Sequence, residues 1–111
     1  PLSMETLARL EQVILERRRG DPETSYVALM KREGRPMMAR KLGEEAVEAV
    51  VAALSGSEED LVGEAADVLF HLMVLLADRE IALADVLAEL DRREGVSGIE
   101  EKSNREATSA D

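Results

Sequence analysis

Two groups of acids interrupt the apolar middle of this 111-residue chain: Glu44-Glu45-x-x-Glu48 and, beyond a Ser55-Gly56 break, Glu64-x-x-Asp67. Spacings of three and four place side chains on one face of a helix. With Glu44 at zero and about 100° per residue, Glu48 lies near 40°, Lys41 near 60° and Glu45 near 100°. On the second segment Glu64, Asp67 and His71 fall within about 60° of one another. A tight antiparallel turn centred on Gly56 pairs Glu48 with Glu64 and Glu45 with Asp67. Glu48 and Glu64 then each stand roughly 12 Å along the helix axis from the turn. Four carboxylates at matching heights on adjacent helices cannot all stay ionised unless protons or cations sit among them.

The donor types select the cation. All are hard oxygens and the chain has no cysteine, which suits magnesium or manganese better than zinc or iron. The di-iron bundle pattern needs a His three residues after a Glu, and here Glu48 and Asp67 hold those places. The plain alternative is a solvated helix face, which acids at this spacing usually form. Against it, these acids interrupt the most apolar segment of the chain and match across a turn. Other residues read less sharply. Lys41 can pair with Glu44 or Glu45 as readily as touch a phosphate, and His71 fits a satisfied core histidine better than a ligand. Gly63 costs its helix about 1 kcal/mol relative to Ala; either another backbone approaches there or the substitution is tolerated. Arg17-Arg18-Arg19 makes a basic helix end, favourable against the dipole.

Five helices must position these groups. Leu7, Leu10, Val13 and Ile14 recur at helical spacing between Ser3 and Arg19, and Gly20-Asp21-Pro22 stops that run. A shorter helix is expected from Ser25 to Glu33, ending at Gly34. Pro36 suits the first turn of a third, which meets no breaker until Ser55-Gly56. Ser57-Glu58-Glu59-Asp60 reads as a capping box opening a fourth helix that reaches about Arg79. A fifth is expected from Leu83 to Glu94, before Gly95. Beyond it the polar stretch from Val96 ends in a tail, residues 106–111, expected to be disordered. The fourth helix is apolar nearly all round, so it is expected to be buried on most sides. One chain of this size cannot surround it, and a second subunit is expected to cover part of it.

Composition bounds the rest. The length fits a single domain, residues 1–111, with one core. Hydrophobic residues make up 45% of the chain, with one Phe, one Tyr and no Trp, so the core is aliphatic and all-α. No secretory signal is expected at the start, and the run Val68–Ala77 is about half the length of a membrane span. A cytoplasmic protein is the simplest expectation. A net charge of −10 opposes a nucleic-acid partner but admits a nucleotide bridged by cations.

At these residues the sequence resembles the phosphoribosyl-ATP pyrophosphatases, of the all-helical nucleotide pyrophosphatase superfamily that includes MazG and dimeric dUTPases. The superfamily signature is the pair Glu44-Glu45-x-x-Glu48 and Glu64-x-x-Asp67. Narrower matches are Leu10-Glu11-x-Val13-Ile14, Glu16-Arg17-Arg18-x-Gly20-Asp21-Pro22-Glu23-x-Ser25-Tyr26, Lys41-Leu42-Gly43, His71-Leu72-x-Val74-Leu75-Leu76 and Ser97-Gly98-Ile99-Glu100-Glu101-Lys102-x-x-Arg105. Phe70 stands where Tyr is common, and Ser103-Asn104 replaces a more usual Ala-Ser. The resemblance implies a five-helix MazG-like domain with a central antiparallel hairpin, packing into a dimeric bundle. It also implies Mg²⁺-dependent hydrolysis of phosphoribosyl-ATP to phosphoribosyl-AMP and pyrophosphate, the second step of histidine biosynthesis, in a form without the fused cyclohydrolase. On that basis Glu45, Glu48, Glu64 and Asp67 are the expected metal ligands, with Glu44 beside them to orient or deprotonate water. Lys41, Arg17, Arg18, Lys102 and Arg105 are nominated to contact phosphates, or the neighbouring subunit in the case of the last four named. The competing readings are a broader MazG-type nucleoside triphosphate pyrophosphatase, a non-enzymatic dimerisation module and a nucleotide sensor without turnover.

Overall fold

A computed structural model describes residues 5–94. Among them there are five helices and no strand: α1 (Glu5–Arg17), α2 (Tyr26–Glu33), α3 (Arg35–Ser55), α4 (Glu58–Asp78) and α5 (Leu83–Arg93). Local chemistry sets each boundary. The Ser25 hydroxyl accepts the Ala28 N–H at 3.2 Å and caps α2. Gly34, at φ 99°, ends α2 in a conformation closed to most side chains and leads directly into Arg35-Pro36.

Gly56 and Ser57 alone connect α3 to α4. A Cβ on Gly56 would lie 3.0 Å from both the Ala52 carbonyl oxygen and an Asp60 carboxylate oxygen, so only glycine fits this turn without displacement. Ser57 then forms the expected capping box. Its hydroxyl accepts from the Asp60 N–H at 3.1 Å, and the Asp60 carboxylate accepts from the Ser57 N–H at 3.1 Å. At the other end, Glu80 enters the left-handed region at φ 57° and the Ile81 N–H donates to the Leu76 carbonyl at 2.9 Å, which closes α4.

The helices through Ile81 form one compact unit, and α5 belongs to a second. In the first unit α3 and α4 run as an antiparallel hairpin, with α1 packed on α4 and α2 on α3. The core gathers Ile14, Val27, Ala28, Met30, Met38, Met73, Val74 and Ala77. Flexible thioethers fill spaces that aromatic rings occupy in other small cores. Asp78 ties α4 to α3 and to the turn after α1, accepting from Arg35 at 2.6 Å and lying 3.9 Å from Arg18. Near the turn the hairpin lacks a cover: Val47, Val50, Val51 and Leu54 of α3 are exposed, as are Leu61, Val62 and Leu69 of α4. The single chain thus leaves part of α4 uncovered, as expected of a helix this apolar in a chain of this size.

In the second unit, α5 carries its own ion pairs. Glu89 pairs with Arg92 and with Arg93, and those hydrogen bonds hold its carboxyl down to about 2. Lys102, Arg105 and the tail at 106–111 lie outside the described residues.

Candidate metal centre

The two-residue connection fixes the register of the hairpin, and the register brings the acids together. Carboxylate oxygens of Glu45, Glu48 and Glu64 all lie within 4.8 Å of one another. Burial pushes the Glu45 carboxyl up, and the neighbouring Glu48 and Asp67 charges push it further. Glu64 is raised for the same reasons, burial first and then Glu48, Glu45 and Asp67. Asp67 thus contributes to the shared field without belonging to the three whose oxygens converge. Glu64 Oε2 is buried and has no hydrogen-bond partner among the described residues. A desolvated acceptor among other acceptors needs a proton or a cation. Three hard oxygen donors at this separation fit a divalent ion of the magnesium or manganese type.

Glu44 points elsewhere. Its carboxylate pairs with Lys41 at 3.3 Å and with Arg40 at 3.5 Å, one helical turn back on α3. That contact raises the Lys41 ammonium above its ordinary value, with Tyr26 and Glu45 adding to the effect. Both sequence-level partners of Lys41 are therefore nearby, and Glu44 is the one it holds. Arg17 is exposed at the end of α1, where its carbonyl accepts from the Ser25 hydroxyl at 3.3 Å. Arg18 faces Asp78, eleven residues and roughly 16 Å along α4 from Asp67.

His71 is 5% exposed and satisfied at both nitrogens, as a core histidine should be. Nδ1 lies 2.8 Å from the Asp67 carbonyl oxygen, which can only accept, so Nδ1 carries the proton. In the neutral ring Nε2 then accepts from the Tyr26 hydroxyl at 3.0 Å. The Phe70 ring stacks with Tyr26 at 6.1 Å between centroids and meets His71 edge-on at 5.2 Å. Tyr26 was not among the expected site residues. The available signal was its rarity, since it is the only tyrosine in the chain, but nothing in local spacing joins it to a histidine 45 positions later.

An all-helical unit whose central hairpin gathers three carboxylates, one of them with a buried, unpartnered oxygen, has the architecture and chemistry of the MazG-like helical pyrophosphatases. Residues 7–94 match the phosphoribosyl-ATP pyrophosphohydrolase family. The chain belongs to that family. It is 60% identical over 102 residues to the phosphoribosyl-ATP pyrophosphatase of Erythrobacter litoralis, covering 92% of this chain and 98% of the relative. Over 100 residues it is 60% identical to that of Rhizorhabdus wittichii, covering 90% and 94%. The phosphoribosyl-ATP pyrophosphatase of Dinoroseobacter shibae is 54% identical over 102 residues, with 92% of this chain and all of the relative covered.

Proposed function

We propose that this protein hydrolyses phosphoribosyl-ATP to phosphoribosyl-AMP and pyrophosphate with Mg²⁺, a step of L-histidine biosynthesis, in the cytoplasm. The observation that carries the chemistry is the convergence of Glu45, Glu48 and Glu64, with one buried Glu64 oxygen lacking a donor among the described residues. The substrate follows from relatives up to 60% identical over nearly the whole chain that bear that name.

Glu45, Glu48, Glu64 and Asp67 hold the ion. When bound, Mg²⁺ neutralises the polyphosphate, polarises the phosphoryl group under attack and makes water more acidic. Glu44 orients the attacking water or takes its proton, and moves from Lys41 and Arg40 to do so. Lys41, beside Glu44 and within the field of Glu45, offsets charge developing on the phosphates. Arg17 and Arg18, with Lys102 and Arg105 from outside the described residues, contact the remaining phosphates or a second subunit. The exposed apolar strip on the turn-proximal half of the hairpin supports a homodimer in which two such strips meet.

A coupled pyrophosphate-release assay with phosphoribosyl-ATP tests the reading. Release is expected with Mg²⁺ and none in excess chelator. No release under either condition defeats it, and equal turnover of ordinary nucleoside triphosphates would favour the broader MazG-type activity instead.

A further inference from the structure

With one Tyr, one Phe, one His and no Trp, the chain has few planar side chains to place. It places those three together. Tyr26 stacks with Phe70 at 22° between ring planes and meets His71 edge-on at 5.8 Å, while Phe70 and His71 are themselves edge-to-face. Phe70 and His71 lie on α4, which carries Glu64 and Asp67, and Tyr26 reaches them from the first turn of α2. His71 sits one turn beyond Asp67, about 6 Å along α4, and its imidazole is bonded to the Asp67 carbonyl. Tyr26 is thus two hydrogen bonds from the backbone of Asp67.

Packing alone does not account for Tyr26. His71 is almost fully buried, yet Tyr26 as a residue is 43% exposed. Its position is nonetheless held three ways: the hydroxyl by His71, the ring by Phe70, and the backbone by the first turn of α2 behind its Ser25 cap. Ordering a large, part-exposed side chain costs freedom that its incomplete burial offsets only in part. The same pre-ordering lowers the entropic cost of binding a flat ligand. Resting on the reaction proposed above, the carboxylate cluster anchors the polyphosphate end of a purine nucleotide, and the base needs an apolar planar surface a short distance away.

We propose that the Tyr26 ring is that surface: the purine base of the substrate stacks on it, and Tyr26 is a specificity-determining residue. Stacking of this kind separates a purine nucleotide from an inorganic polyphosphate, which the metal centre by itself cannot do. His71 acts through Tyr26 as a positioning residue, fixing the hydroxyl and with it the plane of the ring.

The single tyrosine makes the test direct. In the full-length protein, ¹³C-labelled on the tyrosine ring and held in Mg²⁺, the Tyr26 ring signals are expected to move upfield on adding AMP. The shift should saturate, and neither ribose 5-phosphate nor pyrophosphate should reproduce it. Kinetically, Tyr26→Leu should raise KM for phosphoribosyl-ATP about tenfold, as expected for loss of one base–aromatic stack, and leave kcat within about twofold. Tyr26→Phe keeps the ring and should recover most of that loss. An unchanged KM in Tyr26→Leu, a loss confined to kcat, or a ring signal that moves equally with ribose 5-phosphate would overturn the assignment. So would a signal that follows protein concentration rather than AMP, which would place Tyr26 between copies of the chain. If Tyr26→Leu does not fold, the ring signal of the unaltered protein still decides. A wild-type protein that shows the AMP shift but releases no pyrophosphate would defeat the proposed reaction and leave the stacking site standing.

Discussion

Repulsion among Glu45, Glu48 and Glu64 is the central energetic fact at the level of single residues. Each is a competent acceptor, and none supplies a donor to its neighbours while ionised. Glu48→Gln removes one charge and introduces an amide able to donate, so two opposite effects are expected. Pyrophosphate release should fall by at least about a hundredfold, the scale on which removing one electrostatic stabiliser acts. The melting temperature without metal should rise. Full activity of the variant at saturating Mg²⁺ would disprove the ligand assignment. The pH dependence follows from Glu45 and Glu64, both raised in the folded protein. The folded state therefore binds more protons than the unfolded chain between the ordinary carboxylate value and the raised one. Stability from this cluster is present at low pH and is lost as pH rises through that window. Thermal melts in chelator should show that loss. Mg²⁺ should reverse it, raising the melting temperature more at pH 7.5 than at pH 5, where protons compete for the same oxygens. The acids themselves were legible from their spacing. The Tyr26–His71 bond was not, because it joins α2 to α4 across 45 positions.

Helix boundaries depend on neighbours within a few positions, and that is why they could be read so closely. Ser25, Gly34, Pro36, Gly56 and the Ser57–Asp60 box all act where expected. Ser57→Ala deletes one half of the box and should cost about 1 kcal/mol, seen as a lower denaturation midpoint with the helix content retained. Gly43 tests the converse. It lies inside α3, and a Cβ there would meet nothing within 4 Å. Gly43→Ala should therefore stabilise the protein by about 1 kcal/mol; a destabilised variant would reveal a close neighbour outside the single chain. Gly63 has the same open surroundings, so no other backbone among the described residues approaches it. The Asp78 bridge to Arg35 and Arg18 was not foreseen. Its members come from α3, α4 and the turn just after α1, and periodicity within a helix says nothing about which charges meet between elements.

For the molecule as a whole, an acidic surface coexists with an uncovered apolar strip. Val62 is 70% exposed and Leu54 83%, in a protein whose net charge of −10 would otherwise keep copies apart. Soluble proteins seldom leave such a strip open, and Leu54→Glu should convert the proposed dimer to monomers in sedimentation-velocity runs. A single species of monomer mass for the unaltered protein would remove that proposal. The sequence by itself determined the helices, their ends and the two acidic arcs, because hydrogen-bonded caps and side-chain spacing are local. It also determined that no helix is long and apolar enough to cross a membrane, which the described residues bear out. Only the tertiary structure decided which acids converge, that Glu64 is left without a donor among the described residues, and that Tyr26 joins Phe70 and His71 beside Asp67. Those outcomes depend on the rotation of each helix about its axis, which the packing of neighbouring helices sets.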